Sequence, residues 1–137
     1  MNIENQLFNE FSEYIKSKVK YDIKIVPKTP KKADFPTIIL KESNNSDSIS
    51  GKTLTCHEYV NNLLYTIEIY TKDIIVEKKR IPSREIMWEL KLLVFEFFRQ
   101  VGFERISCEK GDYADFDVDR TIIVEQAQMS SWNKNII

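Results

Sequence analysis

The sequence predicts an α+β protein: a mostly antiparallel sheet with two long helices packed on one face. Two observations carry that class. Two segments, near residues 3–19 and 83–101, repeat apolar side chains at the helical period, and several short runs of Ile, Val and Thr have the composition of strands. The order reads helix, three strands, helix, two strands, so strands follow one another directly and antiparallel pairing is expected for most neighbours.

The first helix is expected from Ile3, Leu7, Phe8, Phe11, Tyr14, Ile15 and Val19, which share one helical face. Glu4, Glu10, Glu13, Lys16 and Lys18 lie between them, a mixed polar face rather than the Lys/Arg-dominated one of a membrane-surface helix. Ile23 to Val26 reads as a short strand closed by Pro27. Lys28 to Pro36 is a loop that delivers Phe35-Pro36 to a β-branched strand, Thr37-Ile38-Ile39-Leu40. Ser43 to Gly51 is polar and of low complexity, so a flexible loop is expected over about 43–55.

A long strand should run from about Cys56 to Thr71. There Leu63, Tyr65, Ile67 and Ile69 alternate with Leu64, Thr66, Glu68 and Tyr70. The second helix has Pro82 and Ser83 as its start signals and Gly102 as its stop. Ile86, Leu90, Leu93, Val94, Phe97, Phe98 and Val101 form its apolar stripe. Trp88, Leu92 and Phe95 fall off that stripe, more apolar surface than one small core requires, which suggests a second contact partner. A strand is expected over Phe103 to Cys108, then an acidic loop from Asp112 to Asp119. A last strand begins at Thr121-Ile122-Ile123-Val124 and runs toward Met129, and a tail over about 130–137 contains Trp132.

With 137 residues, 42% hydrophobic and 12% aromatic, the chain suits one domain spanning 1–137 with one core. Twenty Lys and Arg against 21 Asp and Glu leave a formal charge of -1, so the basic excess typical of nucleic-acid binders is missing and sequence-specific nucleic-acid recognition is not expected. The opening residues lack a basic region followed by an apolar one, so no secretory signal is expected. No apolar run approaches the roughly 20 residues of a membrane span, so no membrane partner is expected either. Two isolated cysteines, Cys56 and Cys108, do not make a disulfide framework and suit synthesis in a reducing cytoplasm.

Motifs for chemistry are weak. His57 is the only histidine, and on a strand it and Cys56 would point to opposite faces, which rules them out as a nucleophile–base pair there. Two cysteines and one histidine give no zinc pattern. The acidic run at 112–119 fails the EF-hand template: Arg120 stands where Gly is required and Gln126 where Glu is required. Gly51-Lys52-Thr53 lacks the first glycine of a P-loop. Glu85 and Glu89 read as solvated helix surface. Lys78-Lys79-Arg80 reads as a solvated loop or a charge pair to a neighbouring subunit. No enzyme activity, cofactor or metal is expected.

Several features together carry a family resemblance. An amphipathic first helix leads into Phe35-Pro36-Thr37-Ile38-Ile39-Leu40-Lys41-Glu42 and an Asn/Ser-rich loop. The long strand Leu64 to Lys72 follows, then a helix ending Val101-Gly102-Phe103-Glu104-Arg105, and a closing strand with Thr121-Ile122. Over nearly its whole length the chain resembles the tail-terminator (tail-completion, neck or collar) proteins of tailed phages and phage-tail-like bacteriocins.

The resemblance implies a structural protein that forms a hexameric ring on the head-proximal end of a tail tube and stops its polymerisation. The implied partners are further copies of the chain, the tail-tube protein, sheath protein in contractile tails and the head connector in complete phages. The implied location is the tail terminus of a virion or phage-like particle, after synthesis in the bacterial cytoplasm. Two alternatives are another head–tail connector component and a small non-enzymatic ligand-binding domain.

Exposed apolar groups and loop chemistry mark the candidate subunit-interface residues under this reading: Phe35, Asn44, Asn45, Ser46, Asp47, Tyr70, Lys78, Lys79, Arg80, Trp88 and Trp132. Asp115, Asp117 and Asp119 are the candidate lumen-facing residues, where like charge would keep passing DNA from binding.

Overall fold

The computed structural model describes residues 3–30, 34–43, 62–111 and 118–128. Helix α1 spans Ile3–Lys18. Strands β1 (Lys24–Val26), β2 (Thr37–Ser43) and β3 (Asn62–Thr71) follow, then a small hairpin of β4 (Ile74–Val76) and β5 (Lys79–Ile81). Helix α2 spans Ser83–Gln100, and β6 (Glu104–Gly111) and β7 (Asp119–Gln128) close the described chain.

Five strands form one sheet in the order β1-β2-β3-β7-β6. Strand β1 runs parallel to β2, and every other neighbour in the sheet is antiparallel. The protein is therefore α+β with a mostly antiparallel sheet, as the direct succession of its strands predicts. The centre belongs to β3, whose residues from Asn62↔Gln128 to Thr71↔Asp119 are paired with β7 throughout.

Alternation along β3 separates two faces. Tyr65, Ile67 and Ile69 are buried on one, level with Ile38 and Leu40 of β2 and Ile123 of β7. Helix α2 contacts β3, β6 and β7, and its Ile86, Leu90, Val94, Phe97 and Phe98 are buried in the same core as the inward residues of β3. Helix α1 packs on α2, and its Leu7, Phe11 and Ile15 are wholly buried in the same core. Aromatic rings knit the layers: Phe11–Phe97, Phe97–Phe98 and Phe98–Phe103 have centroids 5.2, 5.3 and 5.0 Å apart.

The two ends of α2 are closed by different means. At the C-terminus Gly102 takes φ 90°, the Phe103 N–H donates to the Phe98 carbonyl at 2.8 Å, and the Gly102 N–H donates to the Arg99 carbonyl at 3.2 Å. This is the Schellman arrangement, and the Phe98–Phe103 ring contact is its hydrophobic seal. At the N-terminus Pro82 occupies the cap position with no hydroxyl or carboxylate to offer. The cap comes instead from Asp73, whose carboxylate accepts the Ser83 N–H at 2.7 Å.

The β4–β5 hairpin departs from the sequence expectation, which passed from β3 to α2 without further strands. Its turn residues, Glu77 and Lys78, both have positive φ (51° and 67°). That geometry suits a two-residue hairpin turn but is usually announced by Asn or Gly, and neither is present. The acidic loop also ends earlier than expected: Asp119 is already in β7, paired with Thr71. Strand β6 extends three residues past Cys108 to Gly111, with a bulge between Arg105 and Ser107.

Candidate functional site

The most ordered polar constellation lies on the sheet face opposite the buried residues of β3. Even-numbered positions of β3 and β7 and odd-numbered positions of β2 share that face, so Lys41, Glu68, Tyr70 and Arg120 converge. The Lys41 ammonium is 2.8 Å from Glu68 Oε2. Arg120 Nη2 and the Tyr70 hydroxyl both donate to Glu68 Oε1, at 3.0 and 2.6 Å. Gly111, paired with Arg120, leaves room for it: a Cβ there would stand 2.9 Å from Arg120 Cδ.

Glu68 is 7% exposed. Burial by itself pushes its carboxyl up, but the hydrogen bonds from Lys41, Tyr70 and Arg120 outweigh that and hold it below the usual carboxylate range. Tyr70 is pushed up to about 12, by burial first and by Glu68 second. A carboxylate held ionised beside a phenol held neutral exchanges no proton near neutral pH. The constellation is suited to fixing three strands in register, and offers no poised acid or base.

A second polar junction ties the start of α2 to the sheet. The Ser83 hydroxyl donates to Asp119 Oδ2 at 2.6 Å, and Thr71 Oγ1 stands 2.7 Å from the same hydroxyl. Arg80 donates to Asp73 Oδ2 through Nε at 2.9 Å and also through Nη2. Arg80 and the Ser83 N–H together hold the Asp73 carboxyl below its ordinary range.

The third feature is apolar. Trp88 is 62% exposed and Leu92 47% exposed, one turn apart on α2; Ile106 at the β6 bulge is 54% exposed, and Ile75 on the hairpin 75%. Phe95, half-buried, continues the Trp88–Leu92 line and carries the Arg105 guanidinium 4.0 Å from its ring centroid. Beyond it, between α2 and the strands β6 and β7, a groove of about 620 Å³ is lined by Leu92, Phe95, Phe103, Arg105 and Glu125, among others. Glu125 is 2% exposed, and burial pushes its carboxyl up to about 7, with Arg105 pulling the other way. No hydrogen-bond donor among the described residues reaches that carboxyl.

The sequence-derived candidates separate into three groups. Phe35 and Tyr70 do come together, lining a small cavity of about 100 Å³ with Pro30, Thr37 and Ile39. Lys78 and Lys79 are exposed at the hairpin tip, and Trp88 is exposed on α2 with the Lys91 ammonium 5.7 Å from its ring centroid. Arg80 is exposed too, but it pairs with Asp73 of its own chain. Asp119 stands in a strand, accepting a hydrogen bond from Ser83, rather than at a loop tip. Asn44, Asn45, Ser46, Asp47, Asp115, Asp117 and Trp132 lie outside the described residues, as do Cys56 and His57.

Sequence reasoning missed Glu125, which sits in an apolar run that reads as plain strand. Its odd position, in phase with Ile123, was the available signal. Glu89 also proves to be more than solvated surface, since it accepts the Tyr21 hydroxyl, and burial together with that carboxylate raises the phenol's pKa.

Among the described residues no three His, Cys, Asp or Glu side chains gather as a metal site, and no helix is long and apolar enough to cross a membrane. No family model matches the chain, and no curated protein matches it.

Proposed function

We propose that the chain is a structural assembly protein whose copies form a ring, six to a turn, capping the head-proximal end of a phage or phage-like tail tube. Capping stops tube polymerisation and presents a docking surface to sheath or head connector. In this reading each subunit is one domain with both helices on one face of its sheet, and its work is done by interfaces without bond chemistry.

The observation that supports it best is the line of large apolar side chains, Trp88 and Leu92, standing in solvent on a helix whose other side is fully engaged in the core. Exposed aromatic and aliphatic groups on rigid elements are costly in isolation and are the usual anchors of protein interfaces. The resemblance in element order adds the location. A ring needs two different surfaces on each copy, because a repeated heterologous contact is what closes around an axis. The sheet supplies two unlike edges for this, a three-residue β1 and an eight-residue bulged β6.

The test is negative-stain electron microscopy with light scattering, on the chain alone and with tail tubes assembled from a phage tail-tube protein. Rings of six times the 16.2 kDa chain mass, or a cap at one tube end with tubes of defined length, are expected. Tubes that bind none of the chain and grow on in its presence would refute the assignment.

A further inference from the structure

The groove between α2 and the β6–β7 strands holds a carboxyl group that no hydrogen-bond donor among the described residues reaches. Glu125 is 98% shielded yet lines the groove, and no donor among the described residues reaches it. Its cross-strand partner Arg105 acts on it through space, with the guanidinium lying against the Phe95 ring. A buried carboxylate that no described donor reaches is costly, so the arrangement suits a guest that brings a cation on an apolar stem. Leu92 and Phe95 would receive the stem, and Glu125 the charge.

The same chain displays such a guest. At the tip of the β4–β5 hairpin Lys78 is exposed with no ion pair among the described residues, whereas the nearby Arg80 is engaged by Asp73. Ile75, on the outward side of the hairpin, is 75% exposed, the most exposed large apolar residue described. Glu77 precedes Lys78 in the turn, and Arg99 stands at the groove's rim to meet it. The groove offers Glu96 and Glu125 beside Arg99 and Arg105, and the hairpin tip offers Lys78 and Lys79 beside Glu77, so charges of opposite sign and apolar groups are available on both surfaces.

They cannot meet within one subunit. The hairpin ends at Ile81, just before α2 begins, while the groove is lined by the C-terminal half of that helix. A helix of 18 residues is about 27 Å long, so plug and socket stand at its opposite ends. We propose that the β4–β5 hairpin of one copy docks in the α2–β6–β7 groove of a second copy, with Lys78 paired to Glu125 and Ile75 packed on Leu92 and Phe95. Each copy then offers one plug and one socket, the heterologous arrangement a ring requires. The contact deepens the ring reading and rests on it for closure.

The experiment uses the full chain with Cys56 and Cys108 replaced by serine. One preparation carries Lys78→Cys, the other Arg99→Cys, and the two are mixed with a short bis-maleimide. A linked dimer in the mixture, and in neither preparation alone, is the expected result. In the same serine background without the added cysteines, Lys78→Ala and Glu125→Gln should each weaken self-association about tenfold, and the double variant should add little, as for partners in one contact. Circular dichroism checks that each variant is folded, and Glu125→Gln should be, since it removes a buried charge.

Rings whose association ignores Lys78→Ala, or cross-links from Arg99→Cys to the tube protein alone, would overturn this contact and leave the ring proposal standing. A chain that stays monomeric at every concentration, with and without tail tubes, would overturn both.

Discussion

Glu68 and Glu125 stand on neighbouring strands and face opposite sides of the sheet, and their carboxyls are displaced in opposite directions. Glu68 has three donors and is held low; Glu125 has burial without a donor among the described residues and is held high. The pH consequences differ in sign. The stabilisation from Glu68 is present above the carboxyl's unfolded value of 4.5 and is lost as pH falls through its lower folded value. The contribution of Glu125 is greatest below 4.5 and is lost as pH rises through about 7. Glu68→Gln should therefore cost roughly 1–3 kcal/mol at neutral pH, with the deficit shrinking in acid, as read by urea denaturation of the two proteins across pH 2–7. Glu125→Gln should be more stable than the parent at pH 8 by about 2 kcal/mol and lose that advantage by pH 4, a figure kept modest because the groove admits water. A constant difference across that range would exclude the assignment for Glu125.

At the level of elements, α2 depends on residues outside itself. Its first N–H is satisfied by Asp73, ten residues earlier and across the hairpin, so the hairpin and the helix start are one unit. Asp73→Ala should lower the melting temperature and speed hydrogen exchange at Ser83 and in the hairpin, while leaving exchange in β3 slow. If exchange in the hairpin did not change, the shared cap would have no energetic role. At the other end Gly102→Ala forces a Cβ into a φ of 90° and should cost about 1 kcal/mol, read as a lower denaturation midpoint. The Gly102 stop was legible in the sequence because only glycine takes that geometry cheaply. The Asp73 cap was not, because a carboxylate ten residues away becomes a cap only once two short strands have folded back.

For the whole molecule, the division of α2 into a buried and an exposed side separates stability from assembly. Phe98 is wholly buried among Phe11, Tyr65, Phe97 and Phe103, and Phe98→Ala should cost about 3–5 kcal/mol. Trp88→Ala should change stability by less than about 0.5 kcal/mol yet weaken ring formation. Calorimetry paired with light scattering distinguishes the two. A Trp88→Ala protein that assembles normally would remove this side of the helix from the interface.

By itself the sequence determined both helices, the five main strands and, on α1, α2 and β3, most of the residues that turn inward. Those follow from local periodicity, and periodicity survives without knowledge of partners. It also marked Trp88 and Leu92 as surplus to the core, whereas Phe95, marked with them, is half-buried and packs against it. Only the tertiary structure decided that β3 lies at the centre between β2 and β7, since pairing between segments some 50 residues apart is set by global packing. The same packing brings Lys41, Glu68, Tyr70 and Arg120 together from three strands, and leaves Glu125 shielded while Arg105 stacks elsewhere. Charge partners across strands depend on register, and register is a property of the assembled sheet.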